Sequence, residues 1–282
     1  MLLIYSTTSA EMIEHGLDKS SFAVVFKQLS YAVVGVGLAF TIAQKGYLFM
    51  MQWSRPLFWM LVLTLVLVLI PGVGKVVNGS RRWLGVGGLT FQPSEFVKII
   101  LPLYLIPRLI ALDKSSLLHF LRLMVVCSLP IVLILIEPNT GTAGVIALTT
   151  LSLLFLTKIP FRFWALPLLT ALIVGVGFAA NLDYVQRRLQ VYLHPESDLK
   201  GKGHQPYQAK IAIGRGGLLG QGPGMSRQKL SYLPEAQNDY IAAIYAEEFG
   251  FLGVLLLLLL YFIFVLSALG VALQATDPKG TL

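Results

Sequence analysis

Apolar residues in this 282-residue chain come in long unbroken runs, not in the polar–apolar alternation of a water-soluble fold. The runs fall at roughly 22–43, 56–74, 94–112, 120–137, 140–157, 161–180 and 240–272, after an apolar stub at 1–7. About 20 such residues span the hydrocarbon core of a bilayer as a helix. The pattern therefore predicts an all-α polytopic membrane protein: one transmembrane helix bundle over residues 1–282, with one large loop outside the membrane at about 181–238. The run at 240–272 is long enough to cross the bilayer and project beyond it. Met1 to Tyr5 reads as the tail of a helix and not as the charged region of a cleavable signal peptide.

Composition agrees. Hydrophobic residues make up 56% and charged residues 13%, where a soluble domain carries about a quarter charged. Mean hydropathy is +0.74. A net charge of +8 would suggest nucleic acid for a soluble protein; on a membrane protein it points to anionic lipid and cytoplasmic loops, and nucleic acid is not an expected partner. Lys45, Arg55, Arg108, Lys114, Arg122, Lys158, Arg162 and Lys279 lie on one set of connections, and Lys19, Lys75, Arg81 and Arg82 on the other. The first set is cytoplasmic by the positive-inside rule, which turns 75–93 and 181–238 outward. The outward loop is itself basic, with Lys210, Arg215, Arg227 and Lys229 among its cations. Either lipid head groups or a phosphate-bearing ligand accounts for that. The single cysteine, Cys127, sits in an apolar run and reads as a small hydrophobe.

Four constellations carry candidate chemistry. Arg81-Arg82-Trp83-Leu84 is followed by Gln92-Pro93-Ser94-Glu95-Phe96-Val97-Lys98. Ser94 is a candidate N-cap, and Glu95 and Lys98 share a helix face at the hydrocarbon boundary, as an ion pair between helices or as the lining of a polar cavity. Trp83 is an interfacial anchor or a platform for sugar or lipid. Glu137-Pro138-Asn139-Thr140-Gly141-Thr142 reads as a turn. Gly214-Arg215-Gly216-Gly217-Leu218-Leu219-Gly220-Gln221-Gly222-Pro223-Gly224 reads as a flexible loop and lacks the Lys-Ser/Thr ending of a P-loop. Lys229-Leu230-Ser231-Tyr232-Leu233-Pro234-Glu235-Ala236-Gln237-Asn238-Asp239-Tyr240-Ile241 leads into Ala246-Glu247-Glu248-Phe249-Gly250. Asp239 stands where the basic loop meets a membrane helix and serves as helix cap or general base. Glu247 lies about 12 Å deeper and needs a partner or a cavity there. The histidines at 15, 119, 194 and 204 are scattered, so no tightly held metal is expected.

Taken together, these motifs resemble the SEDS family of cell-wall polymerases, which includes FtsW, RodA and SpoVE. The resemblance runs over essentially the whole chain, and Gln228-Lys229-Leu230-Ser231-Tyr232-Leu233-Pro234-Glu235-Ala236 is more similar to the division branch, FtsW, than to RodA. It implies a ten-helix fold, of which seven to eight helices are present: the chain enters within the first helix and stops after the run ending near Leu273. It implies a peptidoglycan glycosyltransferase of the bacterial inner membrane at the division septum. That enzyme polymerises lipid II at the outer face and releases undecaprenyl pyrophosphate. Asp239 is the implied catalytic residue, with Glu95 and Lys98 in the cavity wall. Arg81, Arg82, Trp83, Lys210, Arg215, Lys229 and Glu235 are the remaining candidates for substrate binding. A divalent cation, Mg or Mn, would share the charge of the diphosphate. The implied partners are a class B penicillin-binding protein transpeptidase, other divisome membrane proteins and membrane lipid. Two departures from the family pattern are Gln237-Asn238 in place of His-Thr and Asn139 in place of Asp. A lipid II flippase, an elongation-type polymerase and a non-catalytic scaffold are the rival readings.

Overall fold

In lipid every backbone N–H and C=O has to be satisfied within its own segment, so apolar runs fold as helices. The computed structural model describes residues 21–77, 80–86, 89–113, 116–166, 168–169, 183–194, 203–229 and 239–281. In chain order the elements are α1 (Ser21–Lys45), α2 (Tyr47–Leu69), β1 (Gly74–Val77), β2 (Ser80–Val86), β3 (Leu89–Phe91), α3 (Pro93–Ile110), α4 (Leu117–Ile136), α5 (Thr140–Leu156), α6 (Asp183–Leu193), α7 (His204–Gly216), α8 (Ile241–Gln274) and α9 (Pro278–Thr281). Four of them, α1, α2, α4 and α8, are long and apolar enough to cross a membrane. The chain is a multi-pass membrane protein. It packs as two compact units, Met1–Ala39 with Leu172–Gly270, and Phe40–Ala171 with Val271–Leu282.

The second unit holds the larger core. On α2 the buried positions are Ser54, Phe58, Leu61, Leu65 and Val68, one stripe at helical spacing. They meet Val97, Leu101, Tyr104, Leu105 and Leu109 of α3, with Phe120, Cys127 and Ile134 of α4 and Ile146 and Leu153 of α5. Phe58 stacks on Tyr104 at 4.1 Å. Between helices in lipid the gain comes from close packing and dispersion, because lipid tails are as apolar as leucine. Outward-facing Leu, Val and Phe stay exposed for the same reason.

Between α2 and α3 lies a three-stranded antiparallel sheet in the order β1-β2-β3, with Lys75 opposite Trp83 and Leu84 opposite Phe91. The hydropathy pattern gave no hint of it, since glycines interrupt the run and no regular alternation survives. The run predicted at 56–74 is instead the helix Tyr47–Leu69. The helix starts earlier than that run because the chain turns at Gly46 (φ 79°), and Pro56 sits inside it. The predicted Ser94 cap is also displaced: α3 begins at Pro93, whose missing N–H is harmless at the first helical position. Of the run predicted at 161–180, residues 161–166 are helical and 170–180 lie outside the described residues.

In the first unit, α6 and α7 are helices inside the stretch read as a loop at 181–238. α7 lays Ala209 and Ala212 on Ala243 of α8. α8 is interrupted at Gly250, whose φ of 64° and ψ of −167° are not helical.

Candidate functional site

In the second unit the predicted polar residues gather at one end, where α2 and α4 finish and α3 and α5 begin. Arg81 and Arg82 follow each other on β2 and serve two helix ends. Arg81 Nη1 donates to the Leu69 carbonyl at 3.2 Å, at the last turn of α2. Arg82 Nε and Nη2 donate to the carbonyls of Glu137 and Pro138 at 2.9 and 2.6 Å, just past α4. The last carbonyls of a helix have no partner within it, and their partial negative charge favours a cation. Trp83, between Arg82 and the buried Leu84, is half-buried.

One turn into α3, Lys98 Nζ lies 2.7 Å from Glu95 Oε2, and both side chains are substantially exposed. This is the predicted ion pair, within one helix and not between helices. Beside it Ser94 is fully buried and accepts hydrogen bonds from Gln92 Nε2 at 2.8 Å and Asn139 Nδ2 at 3.5 Å. Asn139 in turn caps α5, its Oδ1 accepting from the Thr142 amide at 3.4 Å.

Glu137 is the group that its reading as a turn residue missed. It stands one residue past the end of α4, is 1% exposed, and neither carboxyl oxygen has a hydrogen-bond partner among the described residues. Burial pushes its carboxyl up to about 7, against the opposing pull of Arg82. The Arg82 guanidinium is directed instead to the main-chain carbonyls of Glu137 and Pro138.

In the first unit the glycine-rich segment is a close backbone approach to the break in α8. Phe251 and Leu252 amides donate to the carbonyls of Gly217 and Leu218 at 2.9 and 3.1 Å. In return the Gln221 and Gly222 amides donate to the carbonyls of Glu247 and Glu248 at 2.9 and 3.0 Å. A Cβ on Gly220 would lie 2.2 Å from the Glu248 carbonyl oxygen, and one on Gly250 2.2 Å from the Gly220 nitrogen. Only glycine allows the two chains this near.

Two adjacent carboxylates lock the loop behind that contact. Glu247, 1% exposed, accepts from the Ser226 hydroxyl at 2.5 Å and from the Arg227 and Gln228 amides at 3.3 Å each. The partners that the sequence called for are thus supplied by this loop. Glu248, also buried, pairs with Lys229 at 3.1 Å, and the same ammonium donates to the Gly224 carbonyl at 2.6 Å. Of the three cations considered for a diphosphate, Lys229 is thus held inside the protein, while Lys210 and Arg215 on α7 are exposed.

Asp239 is exposed two residues before α8 begins, and its carboxylate makes no hydrogen bond or ion pair with the described residues. The capping role offered by the sequence is not taken up. The amides of Ala243 and Ile244 turn to the Tyr240 carbonyl instead, at 2.9 and 3.2 Å. Burial, and then the neighbouring Asp239 charge, hold the Tyr240 phenol above its ordinary value. Glu235 lies outside the described residues. Among the described residues no group of three or more His, Cys, Asp or Glu side chains gathers as a metal site.

Helices of this length, the sheet at one end and the broken α8 define a polytopic membrane fold with its polar groups at helix ends. Comparison with known proteins names the class. The family model described as cell cycle protein, grouping FtsW, RodA and SpoVE, matches residues 1–282. The chain belongs to this family, the SEDS proteins. It is 36% identical over 286 residues to the probable peptidoglycan glycosyltransferase FtsW of Trichlorobacter lovleyi, taking in 99% of this chain and 74% of that protein. It is 37% identical over 286 residues to stage V sporulation protein E of Bacillus subtilis, 100% of this chain and 77% of that protein. Among solved structures, a chain of a peptidoglycan synthase complex that coordinates polymerization and crosslinking superposes with a TM-score of 0.73 at 23% identity, covering 99% of this chain and 79% of that one. The rod shape determining protein RodA of Thermus thermophilus gives 0.60 at 24% identity, covering 98% and 75%. These two likenesses bear on the fold.

Proposed function

We propose that this chain is a peptidoglycan glycosyltransferase that polymerises lipid II into glycan strands at the outer face of the bacterial inner membrane, at the division septum. The observation that carries the reading is Asp239: an exposed carboxylate, with no partner among the described residues, at the start of a membrane helix and at the end of a basic loop. The family membership and the relatives named as peptidoglycan glycosyltransferase FtsW supply the reaction class.

The reaction displaces a lipid diphosphate from an anomeric carbon. A sugar hydroxyl attacks weakly until its proton is removed, and Asp239 is the base for that proton. General-base catalysis is worth roughly 10²–10⁴-fold. Charge builds on the leaving diphosphate, and the exposed Arg215 and Lys210 are the cations suited to it. A Mg or Mn ion arriving on the diphosphate would share that charge, as divalent ions do when bound mainly by phosphate oxygens and water. Glu95 and Lys98 would organise the polar lining of the cavity that holds the polyprenyl tails. A class B penicillin-binding protein transpeptidase and other divisome membrane proteins are the partners this reading requires.

The test is Asp239→Ala, assayed in detergent with purified lipid II and scored by glycan strand length. Polymerisation falls by roughly 10²-fold or more on this reading, with lipid II binding largely kept. Undiminished polymerisation removes Asp239 from the chemistry. Because detergent leaves no bilayer to cross, product formation there also separates polymerisation from lipid II transport.

A further inference from the structure

The connection that follows α7 carries large apolar side chains in the open. Leu218 is 70% exposed, Leu219 78% and Met225 67%. Its backbone is not loose, since the amides and carbonyls of residues 217–222 interlock with residues 247–252 of α8, and Gly220 donates back to the Gly216 carbonyl at 2.8 Å. Irregular backbone whose polar groups are satisfied by protein is the kind that tolerates membrane depth. The two interlocked amides, Phe251 and Leu252, place Leu218 directly against a helix that is exposed and apolar from Phe251 to Leu273.

Depth follows from length. Beyond the break at Gly250, α8 runs from residue 251 to Gln274, which is 24 residues and about 36 Å at 1.5 Å per residue. The hydrocarbon core is about 30 Å thick. If the segment beyond the break is the one that spans the core, the break falls where the helix enters the leaflet, with the glycine-rich connection at that level. On its polar side Arg215, in the last turn of α7, is exposed, as a cation at phosphate depth should be.

We propose that residues 217–225 form a wedge in the bilayer leaflet at the Gly250 end of α8, with Leu218 and Leu219 in the acyl–headgroup boundary. Phospholipid is the occupant of this patch, because the patch is continuous with the lipid-facing surface of a membrane-spanning helix. The wedge carries Arg215 to the phosphate plane, where a diphosphate-bearing lipid presents its head group. The insertion itself does not depend on the reaction assigned above.

The test uses the whole chain in lipid nanodiscs, which leave both faces open to water. Cys127 is the only cysteine, so Cys127→Ala gives a background for single labels. Leu219→Cys carries an environment-sensitive fluorophore, with Met225→Cys as a second position should the first fail to fold, and Lys210→Cys as the aqueous reference. Phosphatidylcholine bearing a doxyl group near the head reports insertion, and iodide reports water. At an immersion of roughly 5–10 Å, doxyl lipid quenches the label at 219 about twofold or more beyond what iodide does, and the order reverses at 210. A label at 219 or 225 quenched by iodide and indifferent to doxyl lipid would overturn the wedge by putting the loop in water, and one quenched by neither would overturn it by putting the loop under protein.

Discussion

Glu137 illustrates how a single carboxyl sets a pH dependence. Its ordinary value is 4.5 and its folded value about 7. Between those two the folded protein keeps the proton while the unfolded chain has lost it, so the side chain's contribution weakens as pH rises through that window and is flat above it. The shift, 7 − 4.5, corresponds to about 3 kcal/mol as an upper bound. Glu137→Gln keeps the shape and removes the titration. Melting in detergent should show Glu137→Gln more stable than the parent at pH 8, with the advantage gone near pH 4.5. An advantage independent of pH would mean that the carboxyl ionises in place. At the same scale, Lys229 is buried against Glu248. Lys229→Met removes the ammonium from beside a buried carboxylate and should cost up to about 3–5 kcal/mol of stability. Restoring much of it with the double change Lys229→Met, Glu248→Leu separates loss of pairing from loss of packing, and calorimetry of the three variants decides it.

Among the elements, α7 and the broken α8 make a prediction from two glycines two residues apart. A Cβ on Gly214 meets nothing within 4 Å, whereas one on Gly216 would lie 2.0 Å from the Ala246 carbonyl oxygen. Gly214→Ala should be neutral or stabilise by about 0.5–1 kcal/mol, the helix-propensity gain. Gly216→Ala has to push two backbones apart and should lower the melting temperature or abolish assembly of the full chain. Equal behaviour of the two would show that the helices do not approach as described. This contrast also marks how far the sequence could be read. The apolar helices were legible because lipid demands long unbroken runs, and the Glu95–Lys98 pair because residues three apart share a helix face. The sheet was not, since Gly74 and Gly85 break any alternation in Lys75-Val76-Val77 and Arg81-Arg82-Trp83. The glycines between 214 and 224 read as slack, although those at 216 and 220 serve contact with residues some 30 positions away. Nor could the pattern pair Glu247 with Ser226 or Glu248 with Lys229, 21 and 19 residues apart. The signal available was two adjacent glutamates beside a glycine in an otherwise apolar helix.

For the whole molecule, the decisive property is which end of the helices faces out. Arg82, Glu137, Ser94 and Asn139 meet at one end of the second unit, while Lys45, Arg108 and Lys158 lie at the opposite ends of α1, α3 and α5. Lys and Arg accumulate on the cytoplasmic side of short loops, so the expectation is that the second group faces inward and the sheet outward. Single cysteines at Lys75, Lys158 and Lys210 in the Cys127→Ala background test this in intact spheroplasts with a membrane-impermeant maleimide. Positions 75 and 210 should label from outside, and 158 only after the membrane is opened. Labelling of 158 in sealed cells would invert the protein and put Asp239 on the side where no glycan is assembled. The outcome thus bears on the chemistry as well as the topology, because a base for wall polymerisation is useful only where the growing strand is.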